Sequence, residues 1–296
     1  MTEPCPSCAT PSPLRFEIGD RNRRLSADVF RYYACPSCQL LFVAPVPANL
    51  GDYYPLDYYG GAPSRERLLR AAVLERYKID MVREFVSGGR LLEVGPSYGA
   101  FAHLAKEAGF DVSTIEIDPD CCRFLRDIVG VDVMQSAEPA SVLAARTGTF
   151  DAVAMWHNLE HVPRPHELFA ASARALRPGG ILLIAAPNPD ALQFRVFGKR
   201  WTHLDAPRHL TLIPIPLLEQ WAAAEGLITE KITTTDRGSL EWNEFGWRET
   251  LAASSRNRYL RFALRIAGSA ITLPMMPFER SGRRGATYTA IFRRAS

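Results

Sequence analysis

Between residues 64 and 296, short apolar runs alternate with amphipathic stretches. Apolar positions three and four residues apart predict a first helix over 64–86. Compact apolar runs then predict strands at 90–95, 111–117, 150–156, 180–187, 227–235 and 286–294. Amphipathic runs between them predict helices at 100–108, 121–129, 165–176 and 217–225. Strands alternating with helices of this length predict an α/β fold with a parallel sheet covered on both faces.

The first 63 residues lack this alternation and indicate two further parts. Residues 1–45 carry paired cysteines and are typical of a small zinc-ribbon-like module. Residues 46–63 are rich in Pro, Gly and Tyr, which predicts a linker that packs through its aromatic rings. We therefore expect a module at 1–45, a linker at 46–63 and an α/β domain at 64–296, with a basic amphipathic helical insertion at about 247–285.

Composition excludes several classes of protein. Of the 296 residues, 47% are apolar and 23% are charged, which is a globular composition and neither a disordered nor a fibrous one. No run of about 18 uncharged apolar residues occurs, so we expect no membrane-spanning helix. The N-terminus MTEPCPSCAT lacks the basic start and apolar stretch of a secretory signal. These features predict a cytoplasmic protein.

Charge is unevenly distributed along the chain. Residues 248–296 carry ten Arg and two Glu, whereas residues 1–247 carry 25 basic and 30 acidic residues. Arg258, Arg261 and Arg265 follow helical spacing on one face, and apolar residues follow it on another. One interpretation is a helix packed on the domain with a solvated arginine face. The other is a helix that lies on an anionic membrane surface, at the inner face of the membrane, or grips a phosphorylated substrate.

Four of the six cysteines form two Cys-Pro-Ser-Cys pairs, separated by 26 residues. Two such pairs suit four thiolates around a tetrahedral zinc ion. Neither pair opens a helix after a strand, which argues against a redox motif. We expect structural zinc bound by Cys5, Cys8, Cys35 and Cys38. The adjacent Cys121 and Cys122 fall at a helix start and are expected to be small buried residues.

The segment LLEVGPSYG at 91–99 predicts a strand, a glycine-bearing turn and a helix. Gly95 and Gly99 allow a tight turn and a close approach of the backbone to a ligand. Glu116 follows Gly95 by 21 residues, at the end of the next strand, where an acidic side chain accepts the ribose hydroxyls of a nucleoside. The alternative is that Glu93 and Glu116 lie at a solvated strand end. The pattern favours a nucleoside cofactor.

Four motifs occur in an order that resembles class I S-adenosylmethionine-dependent methyltransferases: LLEVGPSYGAF, TIEIDPD, FDAVAMWHNLEHVPRP and ALRPGGILLIAAPNP. The resemblance covers residues 64–296 and implies a Rossmann-like seven-stranded sheet whose last strand, ATYTAIFRR, is antiparallel. It implies a set of S-adenosylmethionine contacts in which Glu116 binds the ribose. That set is Glu93, Gly95, Ser97, Gly99, Glu116, Ile117, Ser136, Ala137 and Trp156. Ser97 stands where the motif usually has its middle glycine.

A hydroxyl acceptor must lose a proton during methyl transfer, and a positioned base accelerates such a step roughly 10²–10⁴-fold. His157, Glu160 and His161 follow the strand at 150–156, and His209 lies in the later segment WTHLDAPRHL. Because ligands bind at the C-terminal ends of parallel strands, we expect these side chains at one rim. Either His157 or His209 is expected to act as general base. Glu160 and His161 are expected to orient that base or to bind a metal.

The spacing His157-x-x-Glu160-His161 resembles the Glu-x-x-Glu-His motif of small-RNA 3′-terminal 2′-O-methyltransferases and the related stretch of ubiquinone-pathway O-methyltransferases. In the small-RNA family the motif holds a divalent metal that binds a vicinal diol. The resemblance therefore implies a second divalent metal at the acceptor site. His157 replaces the first Glu, which makes a hard cation less favoured.

Two further resemblances concern the acceptor. A tryptophan followed by LDAPRHL is similar to bacterial methyltransferases of polysaccharide, glycolipid and deoxysugar pathways, and the cysteine module resembles the zinc-binding domain of deoxysugar C-methyltransferases. They imply O-methylation of a sugar, glycolipid or secondary-metabolite hydroxyl, with a small molecule or glycolipid as partner. A sugar C-methyltransferase is the first alternative. A nucleic-acid methyltransferase that uses the zinc ribbon and the Arg-rich C-terminus is the second, although the acidic first 247 residues argue against a nucleic-acid partner.

Overall fold

The computed structural model describes residues 1–55 and 64–296. In chain order its strands are β1 (Thr2–Pro4), β2 (Pro11–Gly19), β3 (Val29–Ala34), β4 (Leu41–Val43), β5 (Gly89–Val94), β6 (Phe110–Glu116), β7 (Asp132–Gln135), β8 (Phe150–Trp156), β9 (Leu176–Pro187), β10 (Thr211–Leu212), β11 (Leu227–Thr233) and β12 (Thr287–Arg294). Its α-helices are α1 (Arg65–Arg83), α2 (Ala100–Glu107), α3 (Pro119–Phe124), α4 (Pro139–Ala144), α5 (Pro165–Ala175), α6 (Leu192–Phe197), α7 (Ile215–Ala224), α8 (Arg237–Ala252) and α9 (Arg258–Arg280).

The larger sheet has seven strands in the spatial order β11-β12-β9-β8-β5-β6-β7. Strands β5 to β9 run parallel to their neighbours within that group, and β12 runs antiparallel between β9 and β11. Both faces are covered, because alternate residues of β8 enter two separate apolar cores: Val153 and Met155 enter one, and Ala152 and Ala154 the other. The expected Rossmann-like sheet with an antiparallel last strand is confirmed.

A second sheet joins the N-terminal residues to the α/β domain. Its order is β1-β2-β3-β4-β10, and β10 comes from the later part of the chain. Thr211 pairs with Phe42 and Leu212 with Leu41. The two parts also share an apolar core, in which Tyr32 lies with Trp201. The cysteine module is therefore fastened to the segment that contains WTHLDAPRHL.

At two places the structure differs from the predicted division of the chain or does not test it. Residues 50–53, inside the expected linker, form a short 3-10 helix, whereas residues 56–63 of that linker lie outside the described residues. The helical insertion begins with α8 at Arg237, before the predicted 247, and continues through α9. The boundaries at 45 and 63 stay predictions.

Helix α9 presents its faces in an unexpected way. Tyr259, Phe262, Ile266 and Leu273 are 57–74% exposed. The helix instead packs on α8 through Gly268, where an added Cβ would meet the backbone of Arg248. Close backbone contact, rather than burial of its apolar residues, thus seats this helix on the domain. Among the described helices, none is long and apolar enough to cross a bilayer.

Candidate active site

A cavity of about 1330 Å³ opens at the C-terminal ends of β5, β6 and β8. At this place the strand order reverses, since β5 has β6 on one side and β8 on the other. Open α/β sheets bind their ligands at such a switch point. The cavity wall continues onto residues of the N-terminal module and of α8 and α9, so distant parts of the chain contribute to one site.

The turn after β5 forms one wall of this cavity. Gly95 and Gly99 adopt left-handed backbone with φ of 71° and 74°, and a Cβ on Gly95 would collide with the side-chain amide of Asn158. Ser97 adopts the same region with φ of 53°. This conformation costs a residue with a Cβ roughly 1–2 kcal/mol. The serine nevertheless takes up the backbone shape that a glycine would favour, so the turn is retained.

Glu116 is the acidic group at the cavity rim. Its Oε1 accepts hydrogen bonds from the backbone N–H groups of Ile117 at 2.8 Å and Asp118 at 3.0 Å, and its Oε2 accepts one from that of Ser97 at 3.0 Å. Burial raises the pKa of Glu116, and these backbone donors oppose the shift. Each carboxylate oxygen retains lone-pair capacity for a further donor. These bonds fix the orientation of the carboxylate, and its contact with a ribose stays a prediction.

The expected cofactor residues fall into two groups. Five of them line the cavity: Gly95, Glu116, Ile117, Ser136 and Ala137. The other four lie off the cavity wall: Glu93, Ser97, Gly99 and Trp156. Ser97 and Gly99 shape the turn. Glu93 Oε2 and Trp156 Nε1 are buried with no hydrogen-bond partner among the residues that the structure describes. Direct contact of any of the nine with a cofactor stays a prediction.

The wall residues that were not predicted include Tyr98, Asp118 and Asn158. Asn158 Oδ1 is buried without a partner among the described residues, which marks it as a polar group available to a ligand. Its position just after β8 is the same strand-end signal that singled out His157. Asp118 also caps α3 by accepting from the backbone N–H of Asp120 and Cys121, so a structural role hides its place on the wall.

The four predicted catalytic residues all line the cavity. The rings of His161 and His209 stand 4.7 Å apart between centroids. His161 Nδ1 lies 2.9 Å from the carbonyl oxygen of Arg208, and His209 Nδ1 lies 2.7 Å from that of His203. A carbonyl oxygen can only accept, so each Nδ1 carries a proton and each Nε2 of these rings, when neutral, keeps a lone pair. Both rings can accept a proton or bind a metal through Nε2.

Glu160 is 1% exposed, and neither of its carboxylate oxygens has a hydrogen-bond partner among the described residues. His157 Nδ1 lies 3.6 Å from Oε1. Burial alone would raise the pKa of Glu160, but the facing imidazoles of His157, His161 and His209 outweigh it and lower the pKa to about 2. Burial and the charge of His209 lower the pKa of His161 to about 4. At neutral pH an ionised Glu160 therefore lies beside a neutral His161.

His157 follows β8 directly and has a left-handed backbone with φ of 52°. Its ring meets Trp242 of α8 edge-on, with 5.0 Å between centroids. A non-glycine residue keeps this strained conformation only where the surrounding structure holds it there. Such residues cluster at active sites. The turn directs the imidazole into the cavity, where its side chain is 23% exposed.

A buried ion-pair network fixes the loop that carries His209. Arg208 is fully buried, and its Nη2 donates to Oδ1 of Asp205 at 2.8 Å and to Oδ1 of Asp20 at 2.7 Å. Asp20 belongs to the N-terminal module. From the same module, the Tyr32 hydroxyl donates to the carbonyl oxygen of His209 at 2.8 Å. The module therefore holds the backbone at and beside the imidazole cluster.

The four predicted zinc ligands come together at one point. The Sγ atoms of Cys5 and Cys38 lie 3.6 Å apart, those of Cys8 and Cys35 3.5 Å, and those of Cys8 and Cys38 3.7 Å. Thiolates about 2.3 Å from a tetrahedral zinc ion would lie about 3.8 Å from one another. The four-cysteine set therefore fits zinc. Cys121 and Cys122 are buried, as expected.

A second set of ligand atoms comes from Glu160, His161 and His209, and these atoms lie within 4.8 Å of one another. Two imidazoles and one carboxylate are a donor set that divalent transition metals accept. The carboxylate without hydrogen-bond partners and the two free Nε2 lone pairs fit such an ion. A second metal, which the sequence left open, would bind here.

Comparison with known families agrees with this geometry. The model of the methyltransferase domain family matches residues 65–231. The ubiquinone biosynthesis O-methyltransferase of Xanthomonas oryzae pv. oryzae is 34% identical over 131 residues, which are 42% of this chain and 54% of that relative. The protein of the same name from Xanthomonas axonopodis pv. citri is 30% identical over 191 residues, 60% of this chain and 77% of the relative. The chain thus spans about half the length of the first relative.

Solved structures share the fold. A SAM-dependent methyltransferase from Archaeoglobus fulgidus has a TM-score of 0.51 and 20% identity, covering 81% of this chain and 97% of its own. Phosphoethanolamine N-methyltransferase 2 from Haemonchus contortus, in complex with S-adenosyl-L-methionine, has a TM-score of 0.53 and 14% identity, covering 86% and 62%. At such identities the likeness concerns the architecture of the chain.

Proposed function

Because the chain belongs to the S-adenosylmethionine-dependent methyltransferase family, we propose that it methylates a hydroxyl oxygen of a sugar, glycolipid or secondary metabolite. One observation carries the proposal. The same cavity holds the nucleoside-type rim at Glu116 and the imidazoles of His161 and His209, whose Nε2 atoms can take a proton. Oxygen acceptors need a base at this place. The relatives named O-methyltransferases support oxygen as the methylated atom.

S-adenosylmethionine, when bound, supplies a methyl group on a positively charged sulfur. The residues of the chain hold the nucleoside at Glu116, align the acceptor and exclude water, which favours in-line attack by an oxygen. In this proposal His209 Nε2 takes the proton of the acceptor hydroxyl. The ionised Glu160 then stabilises the imidazolium that results. His157, on the same wall, is the alternative base.

A metal-assisted version uses the same residues. Glu160, His161 and His209 would then hold a divalent metal, which would lower the pKa of a hydroxyl bound to it. Chelation separates the two versions. Turnover that persists after dialysis against a chelator, at an unchanged melting temperature, supports His209 as the base. Turnover that is lost at an unchanged melting temperature and returns with Mn²⁺ supports the metal. The cysteine cluster is proposed to hold a structural zinc ion in either version.

The acceptor class is tested by incubating the chain with S-adenosylmethionine labelled in the methyl group and three panels: nucleotide sugars, glycolipids and phenolic or sugar-bearing metabolites. The labelled product is then mapped by mass spectrometry. Label on an oxygen supports the proposal. Label on a carbon beside a carbonyl would replace it with C-methylation, in which His157 or His209 removes a carbon-bound proton. Label that appears only on added RNA or DNA would replace it with nucleic-acid methylation, which we do not expect.

A further inference from the structure

The walls of the cavity carry opposite charges. The end of β6 and the start of α3 contribute acidic residues, namely Glu116, Asp118 and Asp120. The N-terminal module and α9 contribute arginines, namely Arg21, Arg23, Arg24, Arg261 and Arg265. The carboxylates suit S-adenosylmethionine, because the sulfur of this methyl donor is positively charged. The single carboxylate on the methionine part of the methyl donor does not account for five arginines.

Two of these arginines have a buried hydrogen-bond donor that lacks an acceptor. The Nε atoms of Arg21 and Arg261 are buried and have no hydrogen-bond partner within residues 1–55 and 64–296. Burial, followed by the like charges of Arg200 and Arg24, lowers the pKa of Arg21 below its usual value. A guanidinium donor removed from water without an acceptor is costly. The cost falls when an anion enters.

The neighbouring arginines are held in place by α8. Arg24 donates from Nη2 to the carbonyl oxygen of Ala253 at 3.1 Å, just past the end of α8. Arg265 forms a two-pronged pair with Glu249 of α8, with N–O distances of 2.9–3.2 Å. Glu249 also accepts from Arg248 at 3.1 Å, so its charge is already shared. The cluster is therefore oriented and retains an excess of positive charge.

We propose that Arg21, Arg24 and Arg261 form a subsite for a phosphate or diphosphate group carried by the acceptor. This inference rests on the proposed function, because the anion would belong to the molecule whose hydroxyl reaches the imidazole cluster. Planar guanidinium groups match phosphate oxygens with paired, charge-assisted hydrogen bonds. A nucleoside-diphosphate sugar and a diphosphate-linked lipid share this chemistry.

Calorimetry with inorganic pyrophosphate tests the subsite directly. The full chain is first saturated with S-adenosylhomocysteine, and pyrophosphate is then titrated at low ionic strength. We expect binding to the wild-type chain and a Kd raised by at least about tenfold in the double variant R21Q/R261Q, because two guanidinium donors are lost. The single variant R261K, which keeps the charge, is expected to retain part of the affinity.

The matched control is R15Q/R195Q, which removes the same charge from exposed positions outside the cavity. Pyrophosphate affinity should be unchanged in this control, and S-adenosylhomocysteine affinity and melting temperature unchanged in both double variants. Equal weakening in both double variants, or no pyrophosphate binding by a chain that does bind S-adenosylhomocysteine, overturns the subsite alone. A chain that binds no S-adenosylhomocysteine contradicts the proposed function instead.

Methyl-transfer assays then distinguish the two sources of the diphosphate. A nucleoside-diphosphate sugar and a diphosphate-linked polyprenyl sugar are offered separately. For the true source, R21Q/R261Q should raise KM at least about tenfold with a smaller change in kcat, since the subsite binds the acceptor away from the reacting atoms. The inference is overturned if R21Q/R261Q leaves KM unchanged for both diphosphate acceptors, or if an acceptor without phosphate is methylated by the wild type as efficiently as its diphosphate-bearing counterpart.

A second inference rests on a different observation, the outer face of α9. Tyr259, Phe262, Ile266 and Leu273 are each more than half exposed and follow one helical stripe. Exposed arginines flank the stripe at both ends of the helix: Arg256, Arg258, Arg280 and Arg284. An apolar stripe between basic ends is typical of helices that lie in the interface of an anionic bilayer.

We infer that α9 docks on an anionic lipid surface through this stripe. Flotation with phosphatidylglycerol vesicles tests it, with phosphatidylcholine vesicles as the neutral comparison. We expect the wild-type chain to float with phosphatidylglycerol and the variant F262S/I266S to remain at the bottom. The control V196S/I228S, which removes equally exposed apolar side chains elsewhere, should float.

Two results would overturn the lipid assignment. One is a wild-type chain that stays unbound to both kinds of vesicle. The other is a dimer in light scattering that F262S/I266S converts to monomer while vesicle binding is unaffected, because a second copy of the chain would then cover the stripe. Cofactor affinity should be the same in every variant and serves as the check of folding.

Discussion

Two buried carboxylates in the cavity differ in what surrounds them. Glu116 accepts three backbone hydrogen bonds, which fix its orientation and suit it to neutral hydroxyl donors. Glu160 has imidazoles around it and no hydrogen-bond partner among the described residues, which suits it to a positive charge. Because their environments differ, we propose a different role for each carboxylate: Glu116 binds the nucleoside and Glu160 lies beside the base.

The role of His209 gives a prediction at the residue scale. We expect H209A to lower kcat by about 10²–10⁴-fold while the Kd for S-adenosylhomocysteine is unchanged, because the general base is lost and the nucleoside wall is intact. Single-turnover kinetics and calorimetry measure the two quantities. H103A, on α2 and outside the cavity, is the control and should keep wild-type turnover. Full turnover by H209A would move the role of base to His157.

Glu93 gives a prediction about pH. Burial raises the pKa of Glu93 to about 8, against 4.5 for an ordinary glutamate. The folded state favours the protonated form of Glu93. Its contribution to the free energy of unfolding is therefore complete below pH 4.5 and is lost as pH rises through 8. E93Q cannot ionise, so its free energy of unfolding relative to wild type should improve by up to about 4 kcal/mol between pH 5 and pH 9.

Urea unfolding at the two pH values measures this difference. E107Q, at an exposed position of α2, is the control and should follow the wild type at both. If E93Q also follows the wild type, Glu93 is ionised in the folded chain and the assigned effect of burial is wrong.

The clamp between the two sheets belongs to the scale of elements. Asp20 and Asp205 share the buried Arg208, and the Tyr32 hydroxyl holds the adjacent backbone. Removing one partner from a buried ion pair costs about 3–5 kcal/mol. We therefore expect D20N to lower the free energy of unfolding by about that amount and to lower kcat more than cofactor affinity, because the His209 loop loses its support.

Denaturant unfolding and steady-state kinetics measure the two effects, and D52N, at an exposed position of the segment that follows this module, is the matched control. Unchanged stability and turnover in D20N would show that the module does not position the histidine loop.

The element patterns on the chain predicted much of the fold. Strand β8 could be predicted from the sequence because six of its seven residues, FDAVAMW, are apolar. The pairing of β10 with β4 could not be predicted from the sequence. A two-residue strand leaves no periodic signal, and β4 lies far from β10 along the chain. Periodicity located the faces of α9, but which face packs was decided by the contact of Gly268 with α8.

The candidate site shows the same division. His157, Glu160, His161 and His209 could be placed at one rim because strand ends converge there. Arg21 and Tyr54 could not be placed there from the sequence, since only the docking of residues 1–55 on the α/β domain brings them to the cavity. The hydroxyl oxygen of Tyr54 lies 3.0 Å from Nδ1 of His161. This contact joins positions that are 107 residues apart in the sequence.

At the scale of the whole molecule, the cysteine cluster is expected to support the active site from a distance. Loss of a structural zinc ion should loosen β1 to β4, and β4 pairs with β10 beside the histidine loop. We predict one zinc ion per chain by mass spectrometry. Chelation should lower both the melting temperature and kcat, and restored zinc should recover them. A chain whose four cysteines react freely with a thiol reagent and which retains no metal would contradict this.

The central claim is that the cavity beside Gly95 and Glu116 binds S-adenosylmethionine. Calorimetric titration of the wild-type chain with S-adenosylmethionine and S-adenosylhomocysteine measures this most directly. We predict saturable binding at one site per chain, weakened at least about tenfold in E116A, which loses the ribose acceptor, and unchanged in E107A. The absence of binding by the folded wild-type chain, or equal affinity in E116A, would contradict the account.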